Sequence, residues 1–322
     1  MDDFLKHLIS YEIQTSTTCP HRLLFDKDYI ENFTKKPAFE YANIYFFCRT
    51  KKVRFDIDKT ELLNKRTLKT ELIIEGKHRK EVIASLFDLS QTFRTIYGTK
   101  ENFEDMVSDD DPFWDCEYLK SESEGTTLVF NQVATHLNTK FDFILTPENI
   151  EFDLDIDLDN PPEIVYVGQS FRILDRVQTH KTLNKAVSQL KDGQDLRLYF
   201  TTFKFAYGGH RDFADLEGNV SQMWMSEHGK TKEFKSKIDL VERFLIHFLR
   251  PEYNEQHVNS DIKKDSRVKE LLLENEVSSV WINFGMHGNG FQFWSPNQSL
   301  KSDFVGFDFE IQNPQYYDVL TK

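Results

Sequence analysis

Apolar and polar positions along this 322-residue chain change period several times, which predicts a mixed α+β fold. Apolar runs at residues 41–47 and 52–57 read as strands, joined as a hairpin through Arg49, Thr50 and Lys51. Residues 72–75 suggest another short strand before Gly76. Over residues 81–97, Val82, Ile83, Leu86, Phe87, Leu89, Phe93 and Ile96 fall at helical spacing and Gly98 follows as a stop, so one helix is expected. Residues 108–112 read as a loop, and 126–130 and 141–145 as strands. Over residues 148–159, Asp153, Asp155, Asp157 and Asp159 alternate with Phe152, Leu154, Ile156 and Leu158. Period two predicts a strand with one acidic and one apolar face. Asn160, Pro161 and Pro162 then turn the chain into an antiparallel hairpin with the strand that follows.

That following stretch, residues 163–180, organises the rest. Ile164, Val165, Tyr166 and Val167 form a short strand, Gly168, Gln169 and Ser170 a turn, and an amphipathic helix comes next. On that helix Ile173, Arg176 and His180 share one side. Leu183, Ala186, Val187 and Leu190 continue the helical spacing up to Asp192 and Gly193, and residues 196–205 alternate like a strand. Residues 210–235 lack periodicity and read as an inserted loop region. Ile238, Val241, Phe244, Leu245 and Phe248 then make the apolar stripe of a helix, with Glu242 at its rim. It runs into a proline-stopped turn at residues 250–254. Residues 266–274 predict a polar helix, and 280–284 with 290–294 a hairpin around 286–290. Its aromatic residues (Trp281, Phe284, Phe291, Phe293, Trp294) are expected to fill a core that packs back onto the N-terminal region, in preference to stacking on bases. The expected division is 1–145, an α+β region; 146–260, the organising domain; and 261–322, a strand-rich extension.

Composition adds limits. With 29% charged and 39% hydrophobic residues the chain reads as an ordinary soluble globular protein. No apolar run is long enough to span a bilayer, and the acidic N-terminus lacks a signal-peptide core. Cys19, Cys48 and Cys116 are odd in number and far apart, which implies neither a disulfide framework nor a zinc knuckle; the Cys19-Pro20-His21 triplet has no second ligand pair. A reducing cytoplasm is the expected compartment, with no membrane partner. The net charge of −13 argues against nucleic acid until it is mapped. Residues 161–264 hold sixteen lysines and arginines against fourteen acidic residues, a balance of +2 that leaves −15 on the rest. Asp109, Asp110 and Asp111 read as a solvated loop, because the alternating ligand spacing of a calcium loop is missing.

A planar cation and an imidazole beside a strand-end glycine suit an anionic, phosphate-bearing ligand; the plainer alternative is a solvated helix face. The run Tyr166-Val167-Gly168-Gln169-Ser170, then Arg176, then the segment 240–254 (LVERFLIHFLRPEYN), resembles the GIY-YIG nuclease domain over residues 150–258. The resemblance implies a small mixed or antiparallel sheet with flanking helices, and metal-dependent hydrolysis of phosphodiester bonds, DNA first and RNA next, in restriction or phage defence. It assigns Tyr166 to the site beside the attacking water, Arg176 to the scissile phosphate, and His180 to phosphate or proton transfer. Glu242 would hold one Mg²⁺ or Mn²⁺ ion, Asn254 would support the site, and Gly168, Gln169 and Ser170 would approach substrate. A homodimer is compatible with it. The first tripeptide of the family has no counterpart in the acidic strand at 150–158, which leaves the general base open among His180, His210 and Tyr166. The alternative is a catalytically silent relative that binds nucleic acid or a protein.

Overall fold

The structure, a computed structural model, describes residues 7–75, 78–119, 124–154, 156, 158, 160–208, 232–254, 265–274, 277–283, 295, 304–308 and 315–317. Among these residues the protein is α+β, with several largely antiparallel sheets. The chain divides into two compact units. Met1–Thr50, Pro161–Leu190 and Leu196–Lys322 form one, and Lys51–Asn160 with Lys191–Asp195 form the other. This division does not follow linear boundaries at 145 and 260, because the second unit is inserted into the middle of the first. Among the described residues no helix is long and apolar enough to cross a membrane.

The first unit opens with strand β1 (His7–Pro20), helices α1 (Lys27–Phe33) and α2 (Pro37–Glu40), and strand β2 (Ile44–Lys51). The inserted unit holds β3 (Val53–Phe55), β4 (Glu61–Asn64), β5 (Thr67–Ile74), β6 (His78–Ser85), α3 (Leu86–Leu89), α4 (Gln91–Tyr97) and α5 (Lys100–Met106). It continues through β7 (Trp114–Leu119), β8 (Leu128–Ala134), β9 (Thr139–Leu145) and α6 (Pro147–Asp153). The first unit then resumes with β10 (Glu163–Gln169), α7 (Ile173–Gln178), α8 (Lys181–Ser188), β11 (Gln194–Gly208), α9 (Lys232–Leu249) and α10 (Ser266–Glu274). Strands β12 (Val277–Asn283), β13 (Phe304–Asp308) and β14 (Gln315–Tyr317) follow.

A seven-stranded sheet of order β10-β2-β11-β1-β12-β13-β14 is the frame of the first unit. Strand β2 is nearly continuous in apolar residues and buried on both faces, as a strand covered by helices on either side must be. One face, with Ile44, Phe46, Cys48, Tyr199 and Phe203, packs against Ile238, Val241, Phe244 and Leu245 of α9. On the other, Phe33 and Phe39 lie edge-on to Phe200 of β11 at 5.7 and 5.0 Å. Strand β12 runs parallel to β1, so the C-terminal part does pack back onto the N-terminal strand. The inserted unit has its own core. Strand β5 alternates strictly between buried and half-exposed positions. Phe93, Phe103 and Trp114 meet with ring centroids 5.1 to 6.4 Å apart. Asn160 binds the Lys51 backbone on both sides (N–H to Oδ1 2.8 Å, Nδ2 to O 3.1 Å) and so closes the two ends of this unit.

Several expectations are corrected. β2 and β3 do not form a hairpin: β3 pairs with β5, in a different sheet from β2. Residues 81–97 are not one helix. Val82 and Ala84 face the core from strand β6, and Ser85 and Ser90 then cap two short helices. Gly98, at φ 73°, does end the second. The acidic stretch 148–159 is not the strand beside β10. Its first half is helix α6, started by a Thr146–Asn149 capping box and Pro147. Asp155, Asp157 and Asp159 lie outside the described residues, as do 209–231, with His210 and most of the inserted loop region, and the hairpin expected at 286–290.

Candidate active site

Strand β10 carries the site because of a register shift. It pairs antiparallel with β2, Ile164 opposite Cys48 and Tyr166 opposite Phe47, so Val165 is an extra residue. Such a bulge turns the side chains beyond it to the other face. Ile164 and Val167 stay in the core under α9. Tyr166 and Gly168 lie opposite Phe47 and Tyr45 on the other side. There Tyr166 stacks on Phe47 at 4.9 Å, with Tyr45 at 6.0 Å. Gly168 makes this possible. A Cβ at that position would sit 2.6 Å from Tyr45 Cζ and Oη and 2.8 Å from Tyr166 Cε1, so the Tyr45 ring crosses the strand only over a glycine.

Arg176 and His180 do not share one helix. Helix α7 ends at Gln178, and His180 is the N-cap of α8. Its Nδ1 accepts the Thr182 N–H at 3.2 Å, which leaves the proton on Nε2, 3.0 Å from Tyr166 Oη. His180 therefore donates to Tyr166. Burial, with the Arg176 charge adding to it, pushes the imidazole down to about 4, so it is neutral at neutral pH. The exposed Arg176 guanidinium also acts on both tyrosines, favouring their ionised forms. Burial opposes it and raises both hydroxyls, Tyr45 well beyond the usual tyrosine range. Tyr45 is only 1% exposed, so burial disfavours its ionisation more than that of the half-buried Tyr166.

Glu242 reaches the same place from α9, and its charge disfavours ionisation of Tyr166. Burial and then the Asp239 charge push its carboxyl up to about 7, against Arg243 and hydrogen bonds from Gln169. Gln169 Nε2 also donates to Asp239 Oδ1. Gln169 Oε1 is buried beside these carboxylates without a hydrogen-bond partner. Asn254 closes the open edge of β10: Oδ1 accepts Val167 N–H at 2.9 Å and Nδ2 donates to Val167 O at 2.8 Å, while Tyr253 N–H donates to Val165 O at 2.9 Å. The strained turn at Arg250 (φ 46°) delivers both residues there from the end of α9. Ser170 Oγ accepts from Arg172 N–H at 3.0 Å, and Ser170 N–H donates to Asn43 O at 3.2 Å.

The structure therefore groups Tyr166, Arg176 and His180, links Glu242 to them through Tyr166 and Gln169, and makes Asn254 a brace for the strand. Sequence reasoning missed Tyr45. Its signal was an apolar run, Asn43-Ile44-Tyr45-Phe46-Phe47, more than a hundred residues upstream of Tyr166. Among the described residues no three His, Cys, Asp or Glu side chains cluster as a metal site. A hard cation that keeps most of its water needs only one or two carboxylates, and the orphaned Gln169 Oε1 beside Glu242 fits such an ion. Set against family models, curated proteins and solved structures, the chain matches none of them.

Proposed function

We propose that the first unit is a GIY-YIG-type, metal-dependent endonuclease that hydrolyses phosphodiester bonds of DNA, in a restriction or phage-defence role. One observation carries this reading: Tyr45, on a strand antiparallel to β10, lies over Gly168 beside Tyr166. Asn43-Ile44-Tyr45 thus stands in for the tripeptide that residues 150–158 lack, displaced along the chain by the insertion of Lys51–Asn160. The order strand, helix, helix, strand, helix, turn through β10, α7, α8, β11, α9 and residues 250–254 supports it too.

Hydrolysis requires a water aimed at phosphorus, an acceptor for its proton, and stabilisation of charge on the phosphate and the leaving oxygen. Arg176, exposed and planar, binds the phosphate and offsets the charge that grows there. His180 is not the proton acceptor: its free lone pair is taken by Thr182, and its basicity is low. The proton acceptor is Tyr166 in its phenolate form, its own proton having left to solvent; the His180 Nε2–H stabilises that form and burial disfavours it, so cleavage rises with pH. Asn254 keeps the strand that carries Tyr166 in register. A Mg²⁺ or Mn²⁺ ion at Glu242 and Gln169 would supply a Lewis acid for the leaving oxygen. Since the Glu242 carboxyl titrates near 7, binding the ion displaces a proton and strengthens as pH rises.

The test is cleavage of plasmid, linear duplex, single-stranded DNA and RNA with Mg²⁺ or Mn²⁺, beside Arg176→Ala and Glu242→Gln. We expect metal-dependent cleavage of DNA that drops at least about a hundredfold in both variants. Binding without cleavage would indicate a silent relative. Mg²⁺ should also raise the melting temperature of the wild type at pH 8 by a few degrees, less at pH 6, and leave Glu242→Gln unmoved.

A further inference from the structure

Exposed side chains on α7, its N-cap residue and α8 are strongly basic for a chain of net charge −13: Arg172, Arg176, Lys181 and Lys185 stand against Asp175. At the C-terminal end of α7, Gln178 Nε2 donates to Leu24 O at 2.9 Å and ties residues 21–26 to this surface. Those residues form a fixed turn. Leu24 is fully buried, its N–H donates to His21 O at 3.0 Å, and Asp26 caps α1 through Tyr29 N–H at 2.8 Å. Between two such anchors Phe25 is 59% exposed, with its ring edge-on to His21 at 6.3 Å. A rigid turn that holds a phenyl ring in water at the rim of a basic surface offers a π-face next to phosphate-binding charges. At the other end of α7, Phe171 differs: the Lys235 ammonium lies over its ring at 5.6 Å.

Phosphates match the cations, but a base face is open to stacking only where a nucleotide is unpaired. We propose that Phe25 stacks on an unpaired base of the strand whose phosphate lies at Arg176, so that the protein prefers single-stranded or flapped DNA to continuous duplex. This rests on the nucleic-acid reading above and names the substrate class within it. Phe25 lies outside the stretch 150–258, and its contact needs no step of the chemistry.

The test is equilibrium binding by fluorescence anisotropy in EDTA, where nothing is cut, with a single-stranded oligonucleotide, a flapped duplex and a blunt duplex. Wild type should bind the first two more tightly than the third. Phe25→Ala should weaken the first two by about tenfold and leave the blunt duplex unchanged, and Phe25→Trp should restore binding, as stacking on a single base predicts. Phe25 is exposed, so neither change threatens folding. Equal affinity of Phe25→Ala and wild type for all three, with Arg176→Ala weakened, would overturn the role of Phe25 and leave the nucleic-acid reading standing. Failure of wild type to bind any of the three would overturn both.

Discussion

In the inserted unit, charges meet opposite charges at the surface: Arg79 pairs with Asp56 at 2.8 Å and also with Glu71, which Lys59 reaches at 2.7 Å. Its core cluster is aromatic and aliphatic, with the amide of Gln132 and the carboxylates of Glu148 and Glu151 also buried in this unit. Around Tyr45 in the other unit, ionisable groups are instead gathered out of water: Glu242 lies near Asp239 as well as Arg243, and two tyrosine hydroxyls meet against a histidine. The first arrangement holds a fold; the second departs from local rules where a ligand would complete it. Charge divides the same way. Residues 51–160 hold fourteen lysines and arginines against twenty-four acidic residues, a balance of −10 out of −13. The exposed basic side chains of α7 and α8 lie in the other unit.

His180 carries the largest expected effect on stability. Its folded value of about 4 lies below the ordinary 6.5, so its contribution to stability is complete above pH 6.5 and is lost as pH falls through 4. The loss should reach roughly 3 kcal/mol. His180→Asn keeps an N-cap acceptor but cannot titrate. Between pH 7 and pH 4.5 the urea midpoint of wild type should therefore drop relative to that of the variant, since Glu242, held up to about 7, gains stability over the same window in both. The same pH dependence in both proteins would exclude this role for His180.

Gly168→Ala comes next. The added Cβ would press on the Tyr45 and Tyr166 rings, costing about 1–3 kcal/mol and cleavage with it. Gly98→Ala in the inserted unit meets no atom within 4 Å but must adopt φ 73° with ψ −50°, a sparsely populated region, costing about 1–3 kcal/mol, and should leave cleavage untouched. Denaturant midpoints and cleavage rates of the two variants separate strain from function. Arg79→Ala is the smallest change. Its exposed pairs should yield no measurable midpoint shift, and a clear one would show that the insertion depends on charges as the site unit does.

Much of the site was legible because it lies in two continuous stretches. Strand, glycine turn and helix at 163–180, and the stripe leading to Pro251 and Asn254, needed only local periodicity and turn chemistry. Tyr45 was not legible from its neighbours. The strand paired with β10 comes before a folded insertion, and the stretch next to β10 in sequence carries a plausible strand pattern of its own. Residues 81–97 misled for another reason: Val82 and Leu86 suit a helical period, yet Val82 and Ala84 also suit a strand, and pairing with β5 decides between them. The break at His180 involves neither glycine nor proline, so only the cap itself reveals it.

Single-turnover cleavage of DNA by Tyr45→Phe and Tyr97→Phe, with wild type, tests the central claim most directly. Both changes remove one hydroxyl from a buried ring, Tyr45 at the site and Tyr97 in the core of the insertion. Tyr45→Phe should lose about a hundredfold or more and Tyr97→Phe nothing. Cleavage by Tyr45→Phe at the wild-type rate, or none by wild type with either metal, would contradict it.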